Sequence, residues 1–264
     1  MNKMEIIKTR KSVRTFDRKK ITAEDKKKLL NYIKTIENPY HIPVEFILLD
    51  REKYNLSSPV IEGEDTYIAA KVANVEHCEE AYGYSFEKMI LYAWSLGIGT
   101  TWIGGTLNRQ LFEKAANTKD DEYMMIVTPI GYPSKTKSKV DVKLRESVRG
   151  DERLPASKLF YNNDFKTPLN SNEDCFDAVR WAPSAANRQP WRIVKENNNY
   201  HFYLQHTPGY SSGVGWDVQK IDLGIAICHF MYVKDDGKLI IDEPEIKTDS
   251  NCEYIATVSC NSSD

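Results

Sequence analysis

The stretch Trp181–Val194, W-A-P-S-A-A-N-R-Q-P-W-R-I-V, compresses a helix stop, an elbow and a strand start into very little chain. The apolar run ending at Trp181 and Ala182 reads as the last turn of a helix. Pro183 ends it, because its ring and missing N–H do not fit a helix interior. Ser184, Ala185, Ala186 and Asn187 form a small, polar elbow, and Pro190 leads into a strand from Trp191 to Val194. Ser184, Asn187 and Gln189 offer both donors and acceptors there. The plain alternative is an ordinary helix-to-strand loop, since Pro, Asn and Ser are turn residues.

Read in order, the chain opens with Lys8-Thr9-Arg10-Lys11-Ser12-Val13-Arg14-Thr15-Phe16. Two arginines around a serine suit an anion, through guanidinium forks and a hydroxyl; the competing reading is a solvated basic segment. Thr22 caps a helix with acids in its first turn and an apolar face to about residue 37. Val44 to Leu49 reads as a strand, residues 51 to 80 as polar and irregular, and Tyr84 to Leu96 as a helix. The loop Gly97-Ile98-Gly99-Thr100-Thr101-Trp102-Ile103-Gly104-Gly105 follows a helix and has Trp102 where a dinucleotide fingerprint needs glycine. Either it is a helix cap and loop, or Gly104 and Gly105 let backbone approach a flat ligand closely. A short helix is expected over 111–116, a strand over 122–130, and a charged linker or crossover over 134–152.

Three of these stretches together resemble the FMN-dependent nitroreductase family. A-P-S-A-A-N-R-Q-P-W is similar to its P-S-x-x-N-x-Q-P-W signature, the opening segment to its R-R-S-x-R-x-F, and residues 97–105 to its G-L-G-x-x-x-x-G-G loop. Pro129-Ile130-Gly131-Tyr132-Pro133 is a further, mainly structural hallmark, and Arg153-Leu154-Pro155 resembles an R-x-P whose arginine meets the cofactor phosphate. Many members carry a basic residue where Asp151 stands here. The resemblance implies an α+β, nitroreductase-like fold and FMN as cofactor. Arg10, Lys11, Ser12, Arg14 and Arg153 are then its phosphate and ring-edge ligands, Gly104 and Gly105 the flavin-facing loop, and Pro183, Ser184 and Asn187 a lid. No metal is expected, and no side chain is assigned a catalytic step.

In that family the P-S-x-x-N signature lies near the N-terminus, whereas here it begins at Pro183. An internal repeat accounts for the displacement. Ser171-Asn172-Glu173-Asp174 echoes Thr22-Ala23-Glu24-Asp25, Val218–Phe230 echoes the helix over 84–96, and Glu253–Val258 echoes Glu122–Val127. The alternative is two unrelated α+β segments with common patterning. On the repeat reading, residues 1–164 are a first nitroreductase-like half and 165–264 a second. They are tandem half-repeats forming a pseudo-dimer around antiparallel or mixed sheets, with one of two flavin sites lost. A tandem-fused nitroreductase group has this layout, and its likeness extends to Lys220-Ile221-Asp222-Leu223-Gly224-Ile225-Ala226 and to Pro208-Gly209-Tyr210.

Composition excludes several other classes. A net charge of −2 gives no whole-chain attraction to nucleic acid or to membrane surfaces. Five cysteines without a C-x-x-C pair read as reduced thiols, and His201 and His206 are poorly spaced for a metal. No apolar run has transmembrane length, and the N-terminus lacks a signal-peptide core, so a cytoplasmic protein is expected. The function implied is transfer of electrons from NAD(P)H to a nitroaromatic, quinone or related acceptor by a ping-pong flavin cycle. The expected state is a monomer, with further homodimerisation left open. A flavin carrier or sensor without turnover, and a non-flavin interaction module, are the competing readings.

Overall fold

The structure is a computed structural model and describes residues 1–210, 215–248 and 251–261. The chain forms two compact units. Unit 1 comprises Met1, Thr9–Cys78 and Ser85–Gly150; unit 2 comprises Asn2–Lys8, Glu79–Tyr84 and Asp151–Asp264. The main division thus falls after Gly150, and unit 2 takes two short segments from earlier in the chain.

Helix α1 (Lys3–Thr9) comes first and lies almost wholly within unit 2. In unit 1, α2 (Ala23–Ile33) begins where Thr22 Oγ1 accepts the Asp25 N–H at 3.1 Å. The strands β1 (Val44–Asp50) and β2 (Thr66–Ala73) pair antiparallel, with Val44 opposite Val72 and Asp50 opposite Thr66. Helix α3 (Cys78–Ser95) gives its first turns to unit 2 and its residues from Ser85 onward to unit 1. After α4 (Arg109–Ala116), β3 (Glu122–Tyr123) and β4 (Val127–Ile130) both pair with β2. β2 is therefore central, and its core-facing cluster joins Leu49, Tyr67, Ala69, Phe112, Met124 and Val127.

Sequence reading fails here in three places, each for a physical reason. Residues 51–80 are not irregular throughout: β2 lies in them, and it is buried on both faces from Tyr67 to Val72, so it shows no polar alternation. The expected strand over 122–130 is broken into two, because Met124–Ile126 leave the ladder. The charged stretch 134–152 contains a helix, α5 (Lys139–Ser147), capped by Ser138 Oγ accepting the Asp141 N–H at 3.2 Å.

Unit 2 carries β5 (Phe160–Asn162), α6 (Asp174–Arg180), β6 (Trp191–Glu196), β7 (Asn199–Gln205), α7 (Val218–Val233), β8 (Lys238–Ile240) and β9 (Cys252–Ser259). Its sheet runs β5-β6-β7-β9-β8, with β5 parallel to β6 and the other neighbours antiparallel. Phe176, Tyr200, Phe202 and Phe230 pack ring against ring beneath it, Tyr200 and Phe230 with centroids 4.7 Å apart. Helix α7 is buried on all sides from Ile221 to Phe230.

Both units repeat one order: helix, antiparallel strand pair, helix, then a strand returning antiparallel to the second of the pair (β4 on β2, β9 on β7). The echo of the helix caps is weaker than the sequence suggests. Glu173, not Ser171, precedes α6 at the cap position, and Ser171 Oγ accepts the Glu173 N–H at 3.2 Å instead. Among the described residues no helix is long and apolar enough to cross a membrane.

Candidate functional site

Unit 1 brings the N-terminal basic segment against the glycine loop. Ser12 bridges Thr100 in parallel, and the Val13 N–H donates to the Thr100 carbonyl at 2.8 Å. The segment continues as a stitched strand: Phe16 N–H donates to Glu62 O at 2.8 Å and Asp17 N–H to Tyr132 O at 3.0 Å. The Gly131-Tyr132-Pro133 phrase is thus a structural partner of residues 16–17. Two stretches far apart in sequence are fixed side by side by backbone hydrogen bonds.

Arg10 is buried, its side chain 5% exposed, with Nε 3.6 Å from Glu87 Oε1. Nε itself has no hydrogen-bond partner. A buried guanidinium donor without an acceptor is costly. Arg14 is part-buried, with Nη1 3.5 Å from Asp141 Oδ1 on α5. Asp141 is also held by the Thr15 hydroxyl at 3.3 Å. Burial lowers the pKa of both arginines; Glu87 and Asp141 oppose the shift, and the charge of Arg145 adds to it. Three guanidiniums therefore share this region with two carboxylates, an arrangement that favours an anion. Lys11 is exposed and Ser12 half-buried.

The loop is held as firmly. Arg109 donates to the carbonyls of Gly104 at 2.7 Å, Met124 at 2.6 Å and Met125 at 3.1 Å. Trp102 Nε1 donates to Glu87 Oε2 at 3.1 Å, so one buried carboxylate meets both the loop and Arg10. A side chain at Gly104 would press on Ile126 Cδ1 at 2.8 Å, whereas one at Gly105 would meet nothing within 4 Å. The open space lies over Gly105.

Arg153, Pro183, Ser184 and Asn187 all belong to unit 2. Arg153 stacks on the Trp181 ring, 4.9 Å from its centroid, and donates to Glu152 O at 2.8 Å. The elbow is clamped to this R-x-P segment. Leu154 N–H donates to Gln189 Oε1 at 2.9 Å, Asn187 Nδ2 donates to Glu152 O at 3.1 Å, and Arg180 Nε donates to Leu154 O at 3.3 Å. Ser184 Oγ accepts the Gln189 N–H at 2.8 Å. Arg153 thus keeps company with the elbow, in unit 2, although the sequence reading placed it in the first half. Gln189, in sequence one more polar residue of the elbow, is the buried link between the two segments.

The elbow backbone is strained. Ala186, Asn187 and Gln189 have φ of +49°, +54° and +52°. For Ala186, which has no side-chain hydrogen bond to offset it, this conformation costs about 1–2 kcal/mol. Such strain persists only where surrounding contacts over-determine it. Among the described residues no group of three or more His, Cys, Asp or Glu could hold a metal ion. Four of the cysteines are buried and Cys252 is half-buried.

Mixed α+β units that hold a basic N-terminal segment against a glycine loop, and a P-S-A-A-N elbow against an R-x-P segment, define a nitroreductase-type fold. The model of the family described as "Putative TM nitroreductase" matches residues 2–233, and the chain belongs to that family. The crystal structure of a nitroreductase from Thermotoga maritima, itself described as putative, aligns over 99% of this chain and 94% of that one, with TM-score 0.62 and 19% identity. A nitroreductase family protein from Clostridium difficile 630 aligns with TM-score 0.46 and 18% identity, over 60% of this chain and 96% of that one. An FMN-dependent nitroreductase from Clostridium difficile R20291 aligns with TM-score 0.44 and 16% identity, over 50% and 88%. No curated protein matches the chain.

Proposed function

We propose that this chain is an FMN-dependent oxidoreductase that takes electrons from NAD(P)H and delivers them to a nitroaromatic, quinone or related acceptor. The observation that carries the reading is Arg10: a buried arginine with an unpartnered Nε, beside Glu87, in a segment hydrogen-bonded to the glycine loop. The residues present suit FMN. Its phosphate and ring edge call for guanidinium and hydroxyl donors, which Arg10, Ser12 and Arg14 supply between them. Its flat ring calls for backbone without side chains, which Gly104 and Gly105 supply.

When bound, FMN supplies hydride acceptance and the return of the electron pair to an acceptor. The chain's own task is binding, orientation and electrostatics. Arg10 is suited to stabilise negative charge at the ring edge, because a guanidinium in a buried setting acts at low dielectric. The motifs assign Arg153, Pro183, Ser184 and Asn187 to the same cofactor. Support for that assignment is the sequence resemblance and the mutual packing of these four within unit 2. On this reading the chain carries a single flavin site, and the protein acts as a monomer.

The test is the visible spectrum of the purified full chain titrated with FMN, followed by NADH or NADPH oxidation with a nitroaromatic or quinone acceptor. Flavin uptake with acceptor-dependent turnover is expected. Uptake without turnover would favour a carrier or sensor, and a chain that takes up no FMN would leave an interaction module.

A further inference from the structure

Unit 2 contains a buried ionisable group for which the proposed function has no task. Asp222 lies in α7, in the K-I-D-L-G-I-A stretch, and is 2% exposed. Both of its carboxyl oxygens accept the Ala185 N–H, at 3.0 and 3.1 Å. Ala185 opens the short 3-10 turn of the elbow, Ala185–Asn187. Ser184 stands at the cap position of that turn, but its hydroxyl is used by the Gln189 N–H. The first N–H of the turn is therefore capped from another element.

The surroundings of Asp222 are specific. Burial raises its pKa well above the usual carboxylate range, the Ala185 N–H opposes this, and the charge of Asp217 adds to it. Burial raises the Tyr210 hydroxyl and the charge of Asp222 adds to this, while the Arg188 guanidinium, 5.5 Å over the Tyr210 ring, opposes it. The position of α7 is itself fixed by backbone contact. A Cβ at Gly224 would overlap the Glu80 carbonyl, and one at Gly83 would overlap the Ile221 carbonyl, next to Asp222. A helix in close backbone contact at Gly224 and Ile221 presents one acid to the start of a strained elbow.

We propose that Asp222 is the positioning residue of the elbow, fixing Ala185 and with it the placement of Ser184 and Asn187 for the cofactor. This rests on the reading of the elbow as part of the flavin site. Without Asp222 the elbow, with Ala186, Asn187 and Gln189 at positive φ, still has its clamp to residues 152–154 and the Ser184 and Arg192 bonds to Gln189, but the Ala185 N–H loses its side-chain acceptor.

The test uses the full chain as wild type, Asp222→Asn and Asp222→Leu, with Asp222→Ala in place of the leucine variant should that chain not fold. Amide hydrogen exchange at Ala185 is measured without FMN, and FMN dissociation constants are measured on the same proteins. Loss of the acceptor should speed Ala185 exchange about tenfold or more, while amides of Ile225–Phe230 keep their protection. The FMN dissociation constant should rise by about tenfold or more in the same variant. Asp222→Asn keeps an acceptor and should stay within about threefold of wild type on both measures. Unchanged Ala185 exchange in the leucine variant would overturn the proposal, as would faster exchange with FMN binding equal to wild type. A wild-type chain that takes up no FMN would overturn the proposed function instead, and Ala185 exchange alone would then decide whether Asp222 holds the elbow.

Discussion

Two buried side chains, Arg10 and Asp222, carry the sharpest expectations at the scale of single residues. Arg10→Ala should weaken FMN binding by about 1.5–3 kcal/mol, the usual worth of a hydrogen bond to a charged group. Lys20→Ala, at an exposed lysine, should leave binding within about 0.5 kcal/mol of wild type. Equal losses in fluorescence-monitored titrations would remove Arg10 from the site. Asp222 bears on stability. Its carboxyl is raised by burial, so the folded chain keeps a proton that the unfolded chain has already lost. Its contribution is therefore complete below the unfolded pKa and is lost as pH rises through the folded one. Asp222→Asn cannot ionise and should melt increasingly above wild type as pH rises beyond the ordinary carboxylate range. A melting difference that does not change with pH would show that this carboxyl titrates normally. The sequence displayed Arg10 openly, because arginine beside serine has a recognisable chemistry. It concealed Asp222, which reads as one polar residue in an otherwise apolar helix until its Ala185 partner is seen.

At the scale of elements, the crossing of α7 with the first turns of α3 allows no side chain at either contact point. Gly83→Ala and Gly224→Ala each place a Cβ into a backbone carbonyl, where neither helix can yield by a rotamer change. Each should cost roughly 3 kcal/mol, near the upper end for overpacking, read as a lower denaturation midpoint. A wild-type midpoint in either variant would mean the helices separate freely. The elements that the sequence announced have clean periods or caps: α2 behind Thr22, β1 with its aliphatic run, and β6 after Pro190. Those it concealed lack such signals. Ala69, Ala70 and Lys71 interrupt the aliphatic run of β2, and the buried Lys71 is met by Glu45 and Glu122 at 3.3 and 3.2 Å and by the Asn117 carbonyl at 3.3 Å. Helix α5 is mostly charged, yet its Asp141 pairs with Arg14 and holds Thr15. The site was legible as separate motifs, whereas Glu87, Arg109 and Gln189, which hold those motifs in place, are ordinary residues until their partners are known.

At the scale of the whole molecule, unit 2 is not a continuous stretch of chain, and this decides how the protein can be divided. A fragment of residues 165–264 follows the repeat seen in the sequence. It lacks β5, which pairs in parallel with β6 through Phe160 opposite Ile193, and it lacks Arg153 and Leu154, which clamp the elbow. It also lacks Asn2–Lys8, whose Lys3 and Lys8 pair with Asp235 at 2.7 Å and Asp177 at 2.6 Å, and Glu79–Tyr84, against which α7 packs. That fragment should show no cooperative thermal transition by circular dichroism, because the surfaces those segments cover would face water. A fragment of residues 151–264 restores β5 and the clamp, yet still lacks both early segments and should melt well below the full chain. The full chain carries each flavin-facing motif once: one R-K-S-V-R segment, one Gly104-Gly105 loop and one P-S-A-A-N elbow. It should therefore release about one FMN per chain on denaturation if this reading of its site holds. A ratio near two would mean that unit 2 binds flavin without the N-terminal segment, and the assignment of Arg10 as the anchor would fall with it.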